Sequence, residues 1–335
     1  MILKTSALFI SIILISVFCS CSKNKFDVDT SNIKADLEIN RFDKDLLEGY
    51  PDTPAVEKLR HKYGKFLELY SQRIIEIGSP DDPRYNDFLN QFNKYCKNYE
   101  IPARVETTFG DFSKTAALLE KTFKYYKYYF PDKKIPIIYT LLSGFRISVI
   151  TDEGMLGIGL DRYLGADCEL YKAQGLEKYK TRRMDKVMIP VDCMRALAIM
   201  EFPMADSANN MVSHIIYEGK IQYFLDAMLP FEQDTIKFGY TADQLYWANH
   251  NEDKIWASLI ERQMLFSTDQ MVVRKMVEDA PFTALFANNS APRAGAFIGW
   301  KIVHKYMDLH PEITLGQLMQ NNDYQGILNS AEYKP

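Results

Sequence analysis

Ile135-Pro136-Ile137-Ile138-Tyr139-Thr140-Leu141-Leu142, Ile147-Ser148-Val149-Ile150-Thr151 and Met155-Leu156-Gly157-Ile158-Gly159-Leu160 decide the fold class. The three runs are rich in β-branched and aromatic residues, and Asp152-Glu153-Gly154 supplies a turn between the last two, so they read as strands. Their close spacing predicts an antiparallel meander. Everything around them has helical periodicity. On the N-terminal side, Thr53-Pro54 is a helix opening, followed by Val56, Leu59, Tyr63, Phe66, Leu67, Tyr70 and Ile74 at three- and four-residue intervals. Asp82-Pro83 opens a second helix with Tyr85, Phe88, Leu89, Phe92 and Tyr95 on its apolar face. A third runs from about Asp111 to Tyr129 and stops at Phe130-Pro131, since proline cannot extend a helix. After about Met188 the chain returns to helix, with capping boxes at Thr241/Gln244 and Thr314/Gln317. The expected fold is α+β and predominantly α-helical, with a small antiparallel or mixed sheet between helical layers.

Composition fits one large core. The 335 residues are 47 % hydrophobic and 13 % aromatic, which excludes a disordered chain. Forty basic against 44 acidic side chains leave a net charge of −4, so neither nucleic acid nor a polybasic membrane contact is expected. The N-terminus is of another kind. Lys4 precedes a short uncharged apolar run, which ends at Phe18-Cys19-Ser20-Cys21-Ser22. A basic tip, a short apolar stretch and a small residue before cysteine form a lipoprotein signal. Residues 1–20 then read as a signal peptide and Cys21 as the acylated (for example palmitoylated) N-terminus, a membrane anchor that does not span. Residues 21–40 are polar and read as a lipid-anchored tether, and 41–335 as a single globular domain. Ser22-Lys23-Asn24-Lys25 carries no acidic run, which favours a periplasm-facing lipoprotein. Cys96, Cys168 and Cys193 remain, an odd number with long spacings, and read as buried free thiols.

Catalytic signatures are missing. The sequence has no GxSxG, HExxH, HxxEH or GxxxxGK[ST]. Gly219-Lys220 is followed by Ile221, so it is no phosphate loop, and Gly157-Ile158-Gly159 has Arg162 where a dinucleotide fingerprint needs glycine. That pair of glycines reads as a tight strand or bulge. The aromatic run Phe123 to Phe130 reads as helix packing. One pair invites chemistry: His214 and Glu218, four residues apart and so on one helical face. Zinc in a catalytic site takes three protein ligands and water. No third ligand is near in sequence, and His61, His250, His304 and His310 each stand alone. No metal and no small-molecule cofactor is therefore expected.

From about Arg41 to Tyr333 many short motifs occur in an order and spacing that resemble the gliding-motility lipoprotein GldB family. They include Arg41-Phe42-Asp43, Tyr128-Tyr129-Phe130-Pro131, Leu160-Asp161-Arg162-Tyr163-Leu164-Gly165, Tyr217-Glu218-Gly219-Lys220, Gly239-Tyr240-Thr241 and Pro292-Arg293 leading to Gly299-Trp300. The resemblance implies an envelope lipoprotein that serves gliding or a related envelope function, with no established catalytic residues. It also implies a distant similarity to gluzincin-type zinc proteases, in which one helix carries HExxH and the next supplies a glutamate, often as Glu-Gly. Glu218-Gly219 fits the second helix, but the preceding one, about Val191 to Phe202, contains no histidine. The expectation is a zincin-like fold with a degenerate site and no enzymatic activity. Arg195, His214, Glu218, Lys220 and Arg293 would line the inherited cleft and bind an envelope protein partner, with the membrane held through acyl chains. The alternative is a zinc-dependent peptidase-like hydrolase using His214, Glu218 and an acid such as Asp192. A third reading is a purely structural body that braces a larger complex.

Overall fold

The three strand runs all form, but their order is not that of a meander. The computed structural model describes residues 24–48 and 53–335, so the signal segment and Cys21 lie outside the described residues. Strands β1 (Ile39–Asn40), β2 (Ile137–Leu141), β3 (Val149–Asp152) and β4 (Met155–Gly159) make a mixed sheet in the order β1-β2-β4-β3. β1 and β4 both run parallel to β2, and only β3 and β4 form an antiparallel hairpin, turning at Gly154. β4 thus slots between the two strands that precede it. Two glycines allow this. A Cβ on Gly157 would lie 2.8 Å from the Ile150 side chain, and one on Gly159 would lie 2.1 Å from the Ile147 carbonyl oxygen. The loop that crosses from β2 to β3 is pinned by the buried Asp161, whose carboxylate accepts from the backbone of Ser143 (2.9 Å) and Phe145 (2.6 Å).

Alternation along the strands divides the core in two. Ile138, Leu156 and Ile158 face the larger cluster, while Tyr139 and Leu141 face a smaller one with Phe42, Phe66 and Tyr70. The sheet therefore lies between helical layers, as expected. The helix expected from Thr53-Pro54, Thr53–Leu69, is interrupted at Gly64 (φ 42°) and continues as a wider turn over Tyr70–Ile74. Helices Tyr85–Asn98 and Ser113–Tyr129 follow the predicted spans within about two residues, and both capping boxes are present. The three cysteines of the described residues are all free, Cys96 and Cys193 buried and Cys168 half-buried.

The segment expected as a tether is docked over its described part, 24–40. Phe26 packs edge-on against Tyr223 at 5.0 Å and against His304 at 6.1 Å. Lys25 pairs with Asp308 at 2.6 Å, Asn24 donates to the Pro230 carbonyl at 3.0 Å, and the segment ends in β1. Few apolar residues suffice because Phe26 and Ala35 are buried in the main core, with Leu37 and Ile39 packed against it.

Two helices organise the rest. Met211–Met228 is apolar almost all round, as a helix enclosed by others must be. Ala294–Leu309 crosses it with the backbones in contact. A Cβ on Gly219 would lie 2.2 Å from the backbone of Gly299, and one on Gly299 would lie 1.8 Å from the Ile215 carbonyl oxygen. Glycine at position 219, which also fits the Glu-Gly of a zinc-protease helix, is thus required by helix packing alone.

Candidate functional site

All residues of the central helix Met211–Met228 are buried except His214 and Glu218. They lie one turn apart and both line a cavity of about 620 Å³. The opposite wall comes from the Ile189–Glu201 helix, through Asp192, Arg195 and Ile199, and Arg293 closes the base. Four of the five residues singled out from sequence therefore meet here: Arg195, His214, Glu218 and Arg293.

Lys220 does not. It is 1 % exposed, donates to the Asn321 carbonyl at 2.6 Å and sits 5.3 Å over the Tyr324 ring. Two residues on from Glu218 is about 200° around the helix, so Lys220 faces the opposite layer. Burial pushes its ammonium down to about 8.

Glu218 is fully engaged. Nη2 of Arg195 donates to both carboxylate oxygens, at 2.9 and 2.7 Å. Burial alone would raise the Glu218 carboxyl, but Arg195 and then Arg293 outweigh it and hold the group below the ordinary glutamate value. The Arg195 guanidinium, which burial would lower, is raised by the same pair. His214 makes no ion pair with Glu218. Burial lowers its imidazole, against the opposing pull of Glu218 and Glu278.

The third candidate ligand, Asp192, is also spent: Tyr163 donates to it at 2.8 Å and Arg183 at 3.3 Å. Among the described residues no three histidine, cysteine or acidic side chains group closely enough to hold a metal. The expected donor set does not fit zinc, because Glu218 and Asp192 each already have an arginine and a single imidazole is left.

Arg293 is different. Its side chain is 4 % exposed and donates through Nη2 to the Phe238 carbonyl at 2.9 Å, while its buried Nε has no partner. No carboxylate lies within ion-pair distance among the described residues. Burial, then the neighbouring Arg195 and Arg183, push its guanidinium down to about 10. It stands at the head of the Ala294–Leu309 helix in a left-handed conformation (φ 50°), which turns the chain into the helix there. Arg183, Lys180 and Arg162 also line the cavity, with Glu278 and Asp279, and were missed from sequence. They come from short turns where no periodicity marks a residue's direction.

Fold and cavity together describe a mainly helical protein around a small mixed sheet, with a charged hollow whose central acid is held by an arginine. A sequence profile of the gliding motility protein GldB matches residues 23–335, and the chain belongs to the GldB family. Membership associates it with gliding motility and with lipoproteins of the cell envelope. No curated protein and no solved structure matches the chain. Among the described residues no helix is long and apolar enough to cross a membrane.

Proposed function

We propose that this chain is a non-catalytic binding lipoprotein. An acylated Cys21 holds it at a membrane with the globular part facing the periplasm, and it serves gliding or related envelope machinery by seating part of a partner protein in the cavity. The observation that carries this reading is the Arg195–Glu218 pair. In a zinc peptidase the glutamate at this place would face a metal; here a guanidinium from the preceding helix supplies the positive charge, and both oxygens are taken. With both oxygens of Glu218 accepting from Arg195, that carboxylate is not available as a general base for a hydrolytic water.

The docked N-terminal segment supports the orientation. Asn24 is fastened at Pro230, and three residues span at most about 10 Å, so an acyl group on Cys21 would leave close to the body. The cavity lies about 15 Å up the central helix from that end, the rise over the residues between Glu218 and Met228.

A photo-crosslinking residue in place of Ile199, 41 % exposed at the cavity wall, tests the reading in cells that make the full lipid-anchored chain. The expected result is one discrete adduct, absent when the label is moved to Tyr246 on a remote surface. Adducts no different from those of the remote label, or peptide cleavage by the purified chain, would overturn it.

A further inference from the structure

The cavity holds one deeply buried guanidinium that belongs to no ion pair among the described residues. Five basic and four acidic side chains line it, an excess of one positive charge. Arg195 is matched by Glu218 and Arg183 by Asp192. Arg293 is buried, makes no ion pair, feels Glu218 only at longer range, and is crowded by the other two arginines. A buried cation with no ion pair of its own is unfavourable, and a bound anion would offset that cost. One buried guanidinium with an unpartnered Nε suits a single carboxylate. Val149, Met184, Ile199, Met204 and Val277 add apolar wall beside the arginines. At about 620 Å³ the space is of ordinary ligand size and has room for the last few residues of a peptide.

We propose that the cavity is a carboxylate-binding site, in which Arg293, flanked by Arg183, takes the carboxylate of a peptide whose neighbouring apolar side chain fills the wall between Val149 and Met204. It rests on the reading of the cavity as a partner-binding site. The carboxylate is either a chain terminus or an acidic side chain. Arginine suits both, because its planar fork matches two carboxylate oxygens.

Thermal melting of the purified chain, titrated with small probes, tests this. N-acetyl-leucine represents a terminal carboxylate, N-acetylglutamic acid α-amide a side-chain one, N-acetyl-leucinamide the uncharged control, and inorganic phosphate the dianion. The expected result is a saturable rise of about 2 °C or more with at least one carboxylate, and none with the amide or with phosphate. Whichever carboxylate acts identifies the source. Arg293→Gln should abolish the rise. Because that residue also starts a helix, Ala196→Phe is the second variant: it fills the cavity from the wall, leaves every buried charge in place, and should abolish the rise too. No rise with either carboxylate, an equal rise with the amide, a rise with phosphate alone, or a rise that survives Ala196→Phe would each overturn the proposal. A specific crosslink at Ile199 alongside silent carboxylates would leave the binding reading standing and remove only the carboxylate.

Discussion

Glu218 and Asp226 sit roughly two turns apart on one helix, and the two clusters around them are built on opposite plans. Asp226, 3 % exposed, accepts from Lys237, from Trp300 Nε1 at 2.6 Å and from a His304 ring nitrogen at 2.8 Å. Lys237 is matched again by Asp234 at 2.8 Å. That cluster is closed: its carboxylate and its lysine have their partners, and it ties three segments together. Around Glu218 the helix opens onto a cavity, and of three arginines close by only two have an acid. The same residue types serve packing at one end of the helix and a vacancy of charge at the other. Counting partners, more than counting charges, separates the two.

The largest test of the contrast is Asp226→Ala. It leaves Lys237 buried with only the half-exposed Asp234, and should cost about 3–5 kcal/mol in denaturant melts. The Asp226 carboxyl is raised by burial but held lower overall by His304 and Lys237, so its folded value lies below the unfolded one. Its contribution is therefore complete above the ordinary aspartate value near ~4 and is lost as pH falls through the lower folded value. The variant should lack that acid limb, and an unchanged limb would show that the closed cluster does not hold the fold.

Gly299→Ala asks whether the helix crossing that positions both clusters is as close as described. The added methyl meets the Ile215 carbonyl, and a loss of about 3 kcal/mol is expected. A neutral result would mean that the two helices are free to separate.

Lys220, on the far face between the clusters, sharpens the comparison at high pH. Its ammonium titrates near 8 in the folded chain and near ~10.4 unfolded. Between those values the unfolded state binds more protons, so the wild type should gain stability as pH rises, by on the order of 2 kcal/mol relative to Lys220→Met. Parallel pH profiles for the two proteins would refute it.

The smallest effect on stability belongs to Glu218→Gln, about 1–2 kcal/mol, because the pair is partly exposed to the cavity. Its effect on binding should be the opposite of a loss. With Arg195 released, N-acetyl-leucine should bind about tenfold more tightly, the scale of one added charge-assisted contact. Weaker binding would show that Glu218 itself holds the ligand.

Much of this was legible in the sequence, and the failures have physical causes. Strands, helices and both capping boxes are written in local periodicity and in i, i+3 chemistry, which any segment carries by itself. Strand order is not local: β4 enters between β2 and β3 because Gly157 and Gly159 leave room against Ile150 and Ile147, and spacing alone suggested a meander. The segment 24–40 looked like a tether because its apolar residues are few, yet Phe26 needs only the Tyr223 and His304 rings to dock. In the cavity, His214 and Glu218 followed from four-residue spacing. Lys220 falls outside the cavity because it lies two residues beyond Glu218 and so faces the opposite way on the helix. Arg183 and Lys180 come from one-turn elements with no pattern to read.

The central claim is that Glu218 is held by Arg195 and ligates no metal, and the metal content of purified residues 22–335 tests it most directly, with Glu218→Ala alongside. The account predicts no stoichiometric zinc in either protein, even after incubation with zinc and desalting. Near-stoichiometric zinc in the wild type, lost in Glu218→Ala, would contradict it and return Glu218 to the role of a metal ligand.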